Sequence, residues 1–551
     1  MCGIFLILSK KNTDCDKPIF ISKLMSKSFI KTKHRGPDNS SISLIDLHGT
    51  SYNLTFGFHR LKIMDTSDNG NQPFKYEKDY VMCNGEIYNH DVLKKNFSLN
   101  VKSESDCEVI YPLFKLLGME RMLPMLDGVF SFALLHGETL YLARDPIGIR
   151  PLFYGRDNEN NLYICSEAKG LYDHCKKIEP FPPGCFAKIN LESTETLENN
   201  IVFKRYYHYT YPIINIPFNL VGEKIRDVLY RSVKKRLMSD RTVGMFLSGG
   251  VDSSLIAAIS QKISNNNNIT LETFAVGMKG SPDLENARIV AKHIGTKHHE
   301  VLITVDEALT ALNDTIRHLE SYDITTIRAS VPQYLLSKYI KEKTNVTVVL
   351  SGEGADEILG GYLYFHYAPN STEFMKESER LLRNLYQYDV LRTDRTTAAH
   401  GLEVRVPFLD KEFLELVYSL PSSYKLPMMH NDVNKEKYIL RNAYSQTGLL
   451  PDSILWRKKD AFSDAVGYNW VDSVKKYAES KVSDSMICNA NLTFANNPPL
   501  TKEAYLYRSI FENHYSGCSN LITNFWMPKW VSKNIIDPSA TYLNAHGHRT
   551  K

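Results

Sequence analysis

A cysteine directly follows the first methionine, and the chain continues with Gly3 and an apolar run. Removal of Met1 would leave Cys2 with both a thiol and a free α-amine. An α-amine has a reference pKa of about 7.7–8.0, so it can accept a proton near neutral pH. One residue could then supply a nucleophile and its base, as N-terminal nucleophiles do. This stretch alone leaves a second interpretation open, in which Cys2 is a small buried residue that begins a strand.

Two glycine-rich loops that follow apolar strands could bind a nucleotide. The first is SGGVDSS at 248–254, which comes after TVGMFL and precedes a predicted helix. Glycines and the amides of a helix N-terminus favour an anion there, although the loop lacks the GxxxxGK[ST] pattern. The second is SGEGADE at 351–357, after VTVVL. Because parallel strands end at one edge of a sheet, we expect both loops to meet there.

The same loops carry carboxylates, namely Asp252 in the first and Glu353, Asp356 and Glu357 in the second. A carboxylate beside phosphate is expected where a divalent cation lies between the two groups. A further carboxylate could act as a proton acceptor. The residues alone leave simpler readings open: a glycine turn with a serine cap, and an acidic helix start, since acidic side chains favour helix N-termini.

Composition predicts a globular cytoplasmic protein. The chain has 551 residues, 43% hydrophobic content and a formal net charge of +4, without a basic block that would indicate nucleic-acid binding. Its apolar runs are far shorter than the roughly 20 residues that span a bilayer, and no signal-peptide pattern is visible. The nine cysteines lack metal-ligand spacing, which argues against zinc and fits reduced thiols.

The hydrophobic pattern predicts two domains of different fold class. Up to about residue 180, alternating apolar runs with turns and one amphipathic helix at 107–118 predict an α+β domain with antiparallel sheets sandwiched by helices. From about 220, apolar strands alternate with helices, which predicts an α/β doubly wound parallel sheet followed by a largely helical C-terminal region. We expect domains at 2–205 and 220–535, and a flexible tail at 536–551.

Together these motifs resemble the glutamine-hydrolysing asparagine synthetases. The resemblance runs through CGIF, KHRGPD, NGEIYNH, SDCEVI and RDPIGIRPLFYG in the first half, and through SGGVDSS, SYDITTIRAS, SGEGADEILGGY and GLEVRVPFLD in the second. The N-terminal motifs are shared by all class II glutamine amidotransferases. Their combination with SGGVDSS narrows the candidate families to the asparagine synthetases and a few relatives. The resemblance implies a fold of the N-terminal nucleophile type, an ATP-dependent carbon–nitrogen ligase, and a homodimer.

For the first domain, the resemblance implies hydrolysis of glutamine. Cys2 would attack the amide, release ammonia and leave a thioester that water hydrolyses. Arg60 would bind the α-carboxylate, which suits a bidentate guanidinium, and Asp106 would bind the α-amine. Asn84 and Gly85 would form the oxyanion hole. The implied glutamine-binding residues are Arg60, Leu61, Lys62, Ile63, Met64, Asn84, Gly85, Glu86 and Asp106. Taken alone, the Asn-Gly pair could be only a turn, and Arg60 only part of a surface ion pair.

For the second domain, the resemblance implies that ATP activates the β-carboxylate of aspartate as an acyl-adenylate, which ammonia then attacks. Glu353 would be catalytic as a proton acceptor, and Asp252 and Asp356 would hold Mg²⁺. The implied residues for ATP and pyrophosphate are Leu247, Ser248, Gly249, Gly250, Asp252, Ser253, Val276, Ser351, Gly352 and Lys459. Those implied for aspartate are Thr325, Thr326 and Arg328. Ammonia would have to cross between the sites through a dry passage.

Two departures from the family pattern are visible: Lys33 in KHRGPD, and the sequence WRKKDAFSD around Lys459, which leaves the role of that lysine open. Three functions compete. The chain is such a synthetase, or a related amidotransferase-ligase that activates another carboxylate, or a catalytically silent binding or scaffold protein. A β-lactam-forming relative would be expected to lack Cys2, whereas this chain retains it.

Overall fold

The computed structural model describes residues 1–11, 27–47, 50–192, 201–431, 433–459, 466–467, 469–531, 536 and 538. Most of the tail predicted at 536–551 therefore lies outside the described residues, and so does much of the segment that follows Lys459.

The first half consists of two six-stranded sheets in which every strand pair is antiparallel. The strands are β1 (Gly3–Lys10), β2 (Asn39–Asp46), β3 (Tyr52–Arg60), β4 (Phe74–Tyr76), β5 (Asp79–Ile87), β6 (Gly128–His136), β7 (Thr139–Arg144), β8 (Phe153–Arg156), β9 (Leu162–Cys165), β10 (Lys177–Pro180), β11 (Cys185–Asn190) and β12 (Ile201–Arg205). Their orders are β10-β8-β9-β1-β3-β2 and β12-β11-β7-β6-β5-β4.

Strand β1 shows how this half is layered. Side chains alternate between the two faces of a strand, and Ile4, Leu6 and Leu8 pack in the core between the two sheets. Phe5 and Ile7 face the other way, into a core that continues into the second half of the chain. Strand β1 is thus covered on both faces, which explains its nearly continuous apolar sequence.

The helices α1 (His90–Phe97), α2 (Ile110–Leu117) and α3 (Met119–Met122) belong to the first half. The helix predicted at 107–118 divides into a 3-10 turn at Asp106–Val109 and α2. Pro112 has no amide hydrogen and fits only the first turn of a helix, so α2 begins just before it. Buried residues of α2 and α3 pack against the second sheet.

The second half contains a five-stranded parallel sheet of order β15-β14-β13-β16-β17. Its strands are β13 (Thr242–Phe246), β14 (Glu272–Gly277), β15 (Lys297–Leu302), β16 (Val346–Leu350) and β17 (Glu403–Arg405), and a separate hairpin pairs β18 (Met428–His430) with β19 (Val433–Lys435). The chain runs outward from β13 through β14 to β15 and then returns to β16. The switch point therefore lies between β13 and β16, where open α/β sheets bind ligands.

Helices surround this sheet and form the region after it. They are α4 (Phe218–Arg236), α5 (Val251–Asn265), α6 (Pro282–Ile294), α7 (Val305–Leu319), α8 (Ile324–Lys343), α9 (Ala355–Leu359), α10 (Ser371–Asn384), α11 (Asp389–Ala398), α12 (Lys411–Ser419), α13 (Tyr438–Tyr444), α14 (Asp452–Leu455), α15 (Trp470–Lys481), α16 (Asp484–Cys488), α17 (Ala490–Thr493) and α18 (Lys502–Tyr515). The predicted fold class is confirmed for both halves. Within the described part of the chain, no helix is both long and apolar enough to cross a bilayer.

Candidate active sites

The first candidate site surrounds Cys2, which immediately precedes β1. The register that pairs Gly3 with His59 brings Cys2 beside the residues that follow β3. The Cys2 thiol lies 3.9 Å from the carbonyl oxygen of Leu61, and the Cys2 backbone amide donates a hydrogen bond to Asn84 Oδ1 at 2.8 Å. Burial raises the pKa of the thiol to about 11, so the thiol needs a base at neutral pH. While Met1 is attached, the nitrogen of Cys2 is an amide and cannot serve as that base.

Asn84 is buried on β5 with its side-chain orientation fixed by Cys2. Because Oδ1 accepts the Cys2 amide hydrogen, the Nδ2 group is left as a donor, and no described residue accepts from it. The adjacent Gly85 leaves no room for a side chain, since a Cβ there would lie 2.2 Å from the Val129 carbonyl oxygen. A buried donor without a partner is what an oxyanion hole requires.

Arg60 is buried and donates to a loop that follows it. Its guanidinium contacts the carbonyl oxygens of Met64 at 3.2 Å and Ser67 at 2.8 Å, Asn71 Oδ1 at 2.9 Å, and the carbonyl oxygen of Asp65. Arg60 is therefore not part of a surface ion pair, the simpler interpretation of its sequence.

The remaining residues predicted to bind glutamine lie nearby with their own contacts. Asp106 is buried and accepts the Ile87 amide hydrogen at 2.6 Å, and burial raises the pKa of its carboxyl group. Leu61 and Ile63 are buried in the core, and Met64 packs against it. The Lys62 ammonium binds Asp68 at 2.8 Å, and Glu86 pairs with Arg405 at 3.1 Å.

The second candidate site is a cavity of about 210 Å³ at the carboxyl edge of the parallel sheet. Most residues predicted to bind ATP and aspartate line it: Leu247, Ser248, Gly250, Asp252, Ser253, Val276, Thr325, Arg328, Ser351, Gly352, Glu353, Asp356 and Lys459. Gly249 and Thr326 do not line the cavity.

The two glycine-rich loops are in backbone contact. A Cβ on Gly352 would lie 2.7 Å from the Ser253 amide nitrogen, so only glycine fits between the loops. Gly249 has a φ of +70°, and a Cβ there would meet Asn286 at 2.5 Å. The Ser253 hydroxyl accepts from the Ser248 amide at 3.1 Å, which closes the first loop. The predicted meeting of the loops is therefore confirmed.

Lysines surround the carboxylates of these loops. The Lys437 ammonium lies 2.6 Å from Asp252 Oδ2 and 2.8 Å from Asp356 Oδ1, and Lys459 lies 2.6 Å from Asp356 Oδ2. Burial by itself would raise the pKa of Asp356, but the two ammonium groups hold it well below its usual range. Lys437 was not predicted from the sequence, because nothing in NKEKYILR distinguishes it from Lys435.

The carboxylates also fit a magnesium ion. Asp252 Oδ1 is buried and has no hydrogen-bond partner within the described ranges. Mg²⁺ bound to a nucleotide uses one or two carboxylates together with phosphate oxygens, so Asp252 and Asp356 are sufficient. The described residues contain no cluster of three or more His, Cys, Asp or Glu suited to holding a metal on its own.

Glu353 shares the cavity with Arg392, whose Nη2 donates to Glu353 Oε2 at 2.9 Å. Arg392 is held in turn by Gln333 at 2.7 Å and by Asp389. Burial raises the pKa of Glu353, although Arg392 opposes the shift. A raised pKa makes this carboxylate a better proton acceptor. Gln333, Asp389 and Arg392 line the cavity and were not predicted.

The residues predicted to bind aspartate differ in their environments. The Thr325 hydroxyl is buried without a hydrogen-bond partner in the described structure. Thr326 instead bonds Asp323 at 2.8 Å at the start of α8. The Arg328 guanidinium pairs with Glu503 through contacts of 2.7 and 2.5 Å, which fixes it at the cavity wall.

Fold and site together define a glutamine amidotransferase joined to an ATP-using synthetase. Residues 1–201 match the family described as glutamine amidotransferase domain, and residues 224–379 and 368–537 match asparagine synthase. The chain is 42% identical over 578 residues to the human asparagine synthetase [glutamine-hydrolyzing], with 100% of both chains covered. It is 43% identical over 570 residues to the protein of the same name from Gallus gallus, with 98% of each covered.

The chain belongs to the family of glutamine-hydrolysing asparagine synthetases. The family predicted from the sequence motifs is thereby confirmed, and so is the enzyme class, an ATP-dependent carbon–nitrogen ligase.

Proposed function

We propose that this chain makes asparagine from aspartate and ATP with nitrogen taken from glutamine, through two sites in one polypeptide. Residues 2–205 form the glutaminase domain, residues 220–535 the synthetase domain, and 536–551 a tail. The observation that carries the proposal is the combination of two sites. In one, a half-buried Cys2 lies next to Asn84, whose Nδ2 has no hydrogen-bond partner among the described residues, and in the other a cavity holds Glu353 and the lysine-bound carboxylates.

In the glutaminase site, the reaction begins on the chain from which Met1 has been removed. The Cys2 α-amine takes the proton of the thiol, and the thiolate attacks the glutamine amide carbon. Asn84 Nδ2 and the Gly85 amide stabilise the oxyanion. The proton passes to the leaving nitrogen, ammonia departs, and water hydrolyses the thioester to glutamate. Arg60 and Asp106 hold the α-carboxylate and α-amine of glutamine.

In the synthetase site, the loop of Ser248, Gly249, Gly250 and Ser253 binds the phosphates of ATP, and residues around Leu247, Val276, Ser351 and Gly352 contact the adenosine. The aspartate β-carboxylate attacks the α-phosphate, and pyrophosphate leaves toward Lys437 and Lys459. Thr325, Thr326 and Arg328 form the side that faces aspartate. Ammonia attacks the β-aspartyl-AMP carbonyl, Glu353 accepts a proton from the nitrogen, and AMP leaves. Asp252 and Asp356 would hold Mg²⁺, which would supply neutralisation of the phosphate charge.

The test is an assay of the purified protein with glutamine, aspartate and ATP-Mg. We expect asparagine, AMP, pyrophosphate and glutamate in equal amounts. Pyrophosphate release that requires a different carboxylic acid would instead identify a related ligase. A protein that binds these ligands without turnover would identify a scaffold and contradict the proposal.

We also propose that the protein is a cytoplasmic homodimer that binds neither nucleic acid nor membrane. The family resemblance supports the dimer, and the near balance of 66 basic and 62 acidic residues argues against nucleic-acid binding. The short apolar runs argue against a membrane span, and the cysteines without metal-ligand spacing fit a reducing compartment such as the cytoplasm. Light scattering combined with size-exclusion chromatography tests the dimer, and a monomer at micromolar concentration would contradict it.

A further inference from the structure

Asp240 of the second half binds the backbone of the first half at two points. It lies just before β13, and its carboxylate oxygen Oδ2 accepts the Asp65 amide hydrogen at 2.8 Å. Its own amide hydrogen is donated to the Ile63 carbonyl oxygen at 3.0 Å. These two bonds hold the segment 63–65 from both sides, although the Asp240 side chain itself lies at the surface.

The segment that Asp240 holds carries contacts to the Arg60 guanidinium. Arg60 Nη2 donates to the carbonyl oxygens of Met64 and Asp65. The position of this guanidinium therefore depends on where the backbone of residues 64 and 65 lies. Because Asp240 accepts the Asp65 amide hydrogen, it helps to hold this backbone in place.

Asp65 also extends these contacts to the opposite side of the site. Its carboxylate accepts the amide hydrogens of Ser67 at 3.0 Å and Glu104 at 3.0 Å. Glu104 lies two residues before Asp106, the residue that would bind the glutamine α-amine. The backbone of Asp65 has a φ of +58°, in the less populated left-handed region, and the bond from its amide to Asp240 helps to hold it there.

We propose that Asp240 is a positioning residue for glutamine, supplied to the glutaminase site by the synthetase half of the chain. Asp240 fixes Asp65, and Asp65 fixes both Arg60 and the loop that leads to Asp106. Asp240 touches neither substrate nor Cys2. The inference rests on the proposed function, because it assumes that Arg60 binds the glutamine α-carboxylate.

The test compares glutamine kinetics of the full-length Asp240→Ala, Asp240→Asn and unmodified proteins. Loss of one hydrogen bond to a charged acceptor predicts that Asp240→Ala raises the KM for glutamine by about three- to tenfold. The kcat of glutamine hydrolysis and the rate of ammonia-dependent asparagine synthesis should stay within about twofold, because neither the nucleophile nor the second site is touched. Asp240→Asn retains an acceptor oxygen and should restore most of the affinity.

Asp227→Ala is the matched control, since it removes an exposed carboxylate from α4 in the same half, and its KM for glutamine should equal that of the unmodified protein. An unchanged KM in Asp240→Ala, or an equal loss in the ammonia-dependent reaction, would overturn the role of Asp240. An equal loss in Asp240→Asn and Asp240→Ala would also overturn it. An unmodified protein that does not hydrolyse glutamine would instead overturn the proposed function.

Discussion

The Arg35 guanidinium and the Asp394 carboxylate form a buried bidentate ion pair that joins the two halves of the molecule. The two contacts measure 2.8 and 3.1 Å. Arg35 Nε also donates to the Cys2 carbonyl oxygen at 2.9 Å, and α11, which carries Asp394, also carries the Arg392 that binds Glu353. One helix thus contacts the surroundings of both candidate active sites.

This pair predicts a large loss of stability when one partner is removed. Asp394→Ala leaves the Arg35 guanidinium buried with Glu167 as its remaining carboxylate partner. Removal of one partner from a buried ion pair costs at most about 3–5 kcal/mol, and Glu167 still offsets part of the Arg35 charge. We therefore expect the free energy of unfolding to fall by more than about 1 kcal/mol and by no more than about 5 kcal/mol in urea titrations. Asp173→Ala breaks the exposed pair with Lys31 and should cost less than about 1 kcal/mol. Equal losses in the two variants would show that burial does not set the strength of the Arg35 pair.

Replacing Cys2, the proposed nucleophile, should separate the two activities. Cys2→Ala should abolish glutamine hydrolysis and glutamine-dependent synthesis, because it removes the thiol that is proposed to form the thioester. Synthesis from added ammonium should persist, because the second cavity is unchanged. Cys488→Ala removes an exposed cysteine and serves as the control, with both activities retained. Loss of the ammonia-dependent reaction in Cys2→Ala would contradict the separation of sites.

The raised pKa of the Cys2 thiol predicts how retained Met1 affects reactivity. With Met1 attached and a thiol pKa of about 11, the thiolate fraction rises about tenfold per pH unit from pH 7 to 10. Alkylation of Cys2 by iodoacetamide should follow that slope in protein made with methionine removal inhibited. In the processed protein, glutamine hydrolysis should rise instead between about pH 7 and 8, as the α-amine loses its proton. Mass spectrometry assigns the two forms, and full activity with Met1 retained would contradict the role of the α-amine.

The raised pKa of Glu353 predicts the effect of replacing it. Glu353→Gln keeps an oxygen for Arg392 but cannot accept a proton, so asparagine formation from either nitrogen source should fall by at least about a hundredfold. Glutamine hydrolysis in the same sample should be largely retained, which also shows that the protein is folded. Synthesis at more than a tenth of the normal rate would exclude Glu353 as the proton acceptor.

Lys437 should affect nucleotide use through the carboxylates it bridges. Lys437→Met removes the ammonium group that bridges Asp252 and Asp356 and leaves the pair of Lys459 with Asp356 in place. Repulsion raises the pKa of Asp356 from its lowered value, and the KM for ATP should rise about tenfold or more. Lys297→Met, at an exposed site, should leave the KM for ATP unchanged. A KM for ATP that does not change in Lys437→Met would remove this lysine from the site.

Much of the fold follows from local pattern. Alternating apolar runs in the first half and alternating strand and helix patterns in the second half depend only on neighbouring residues. These patterns predicted the fold class of both halves correctly. The helix predicted at 107–118 was placed only approximately. Pro112 is accommodated in the first turn of an α-helix, so the α-helix begins at Ile110 and the residues before it form a 3-10 turn. The contact of SGGVDSS with SGEGADE followed from a general rule of parallel sheets, without knowledge of any side chain.

The sequence by itself determined the nucleophile candidate Cys2, the two glycine-rich loops and the family, because these depend on residue types at consecutive positions. Only the tertiary structure decided which distant side chains would meet. Lys437 reaches Asp252 across 185 positions, and Asp240 reaches Asp65 across 175. Such partners are set by how sheets and helices pack, and a hydrogen bond between them leaves no periodic trace in the chain.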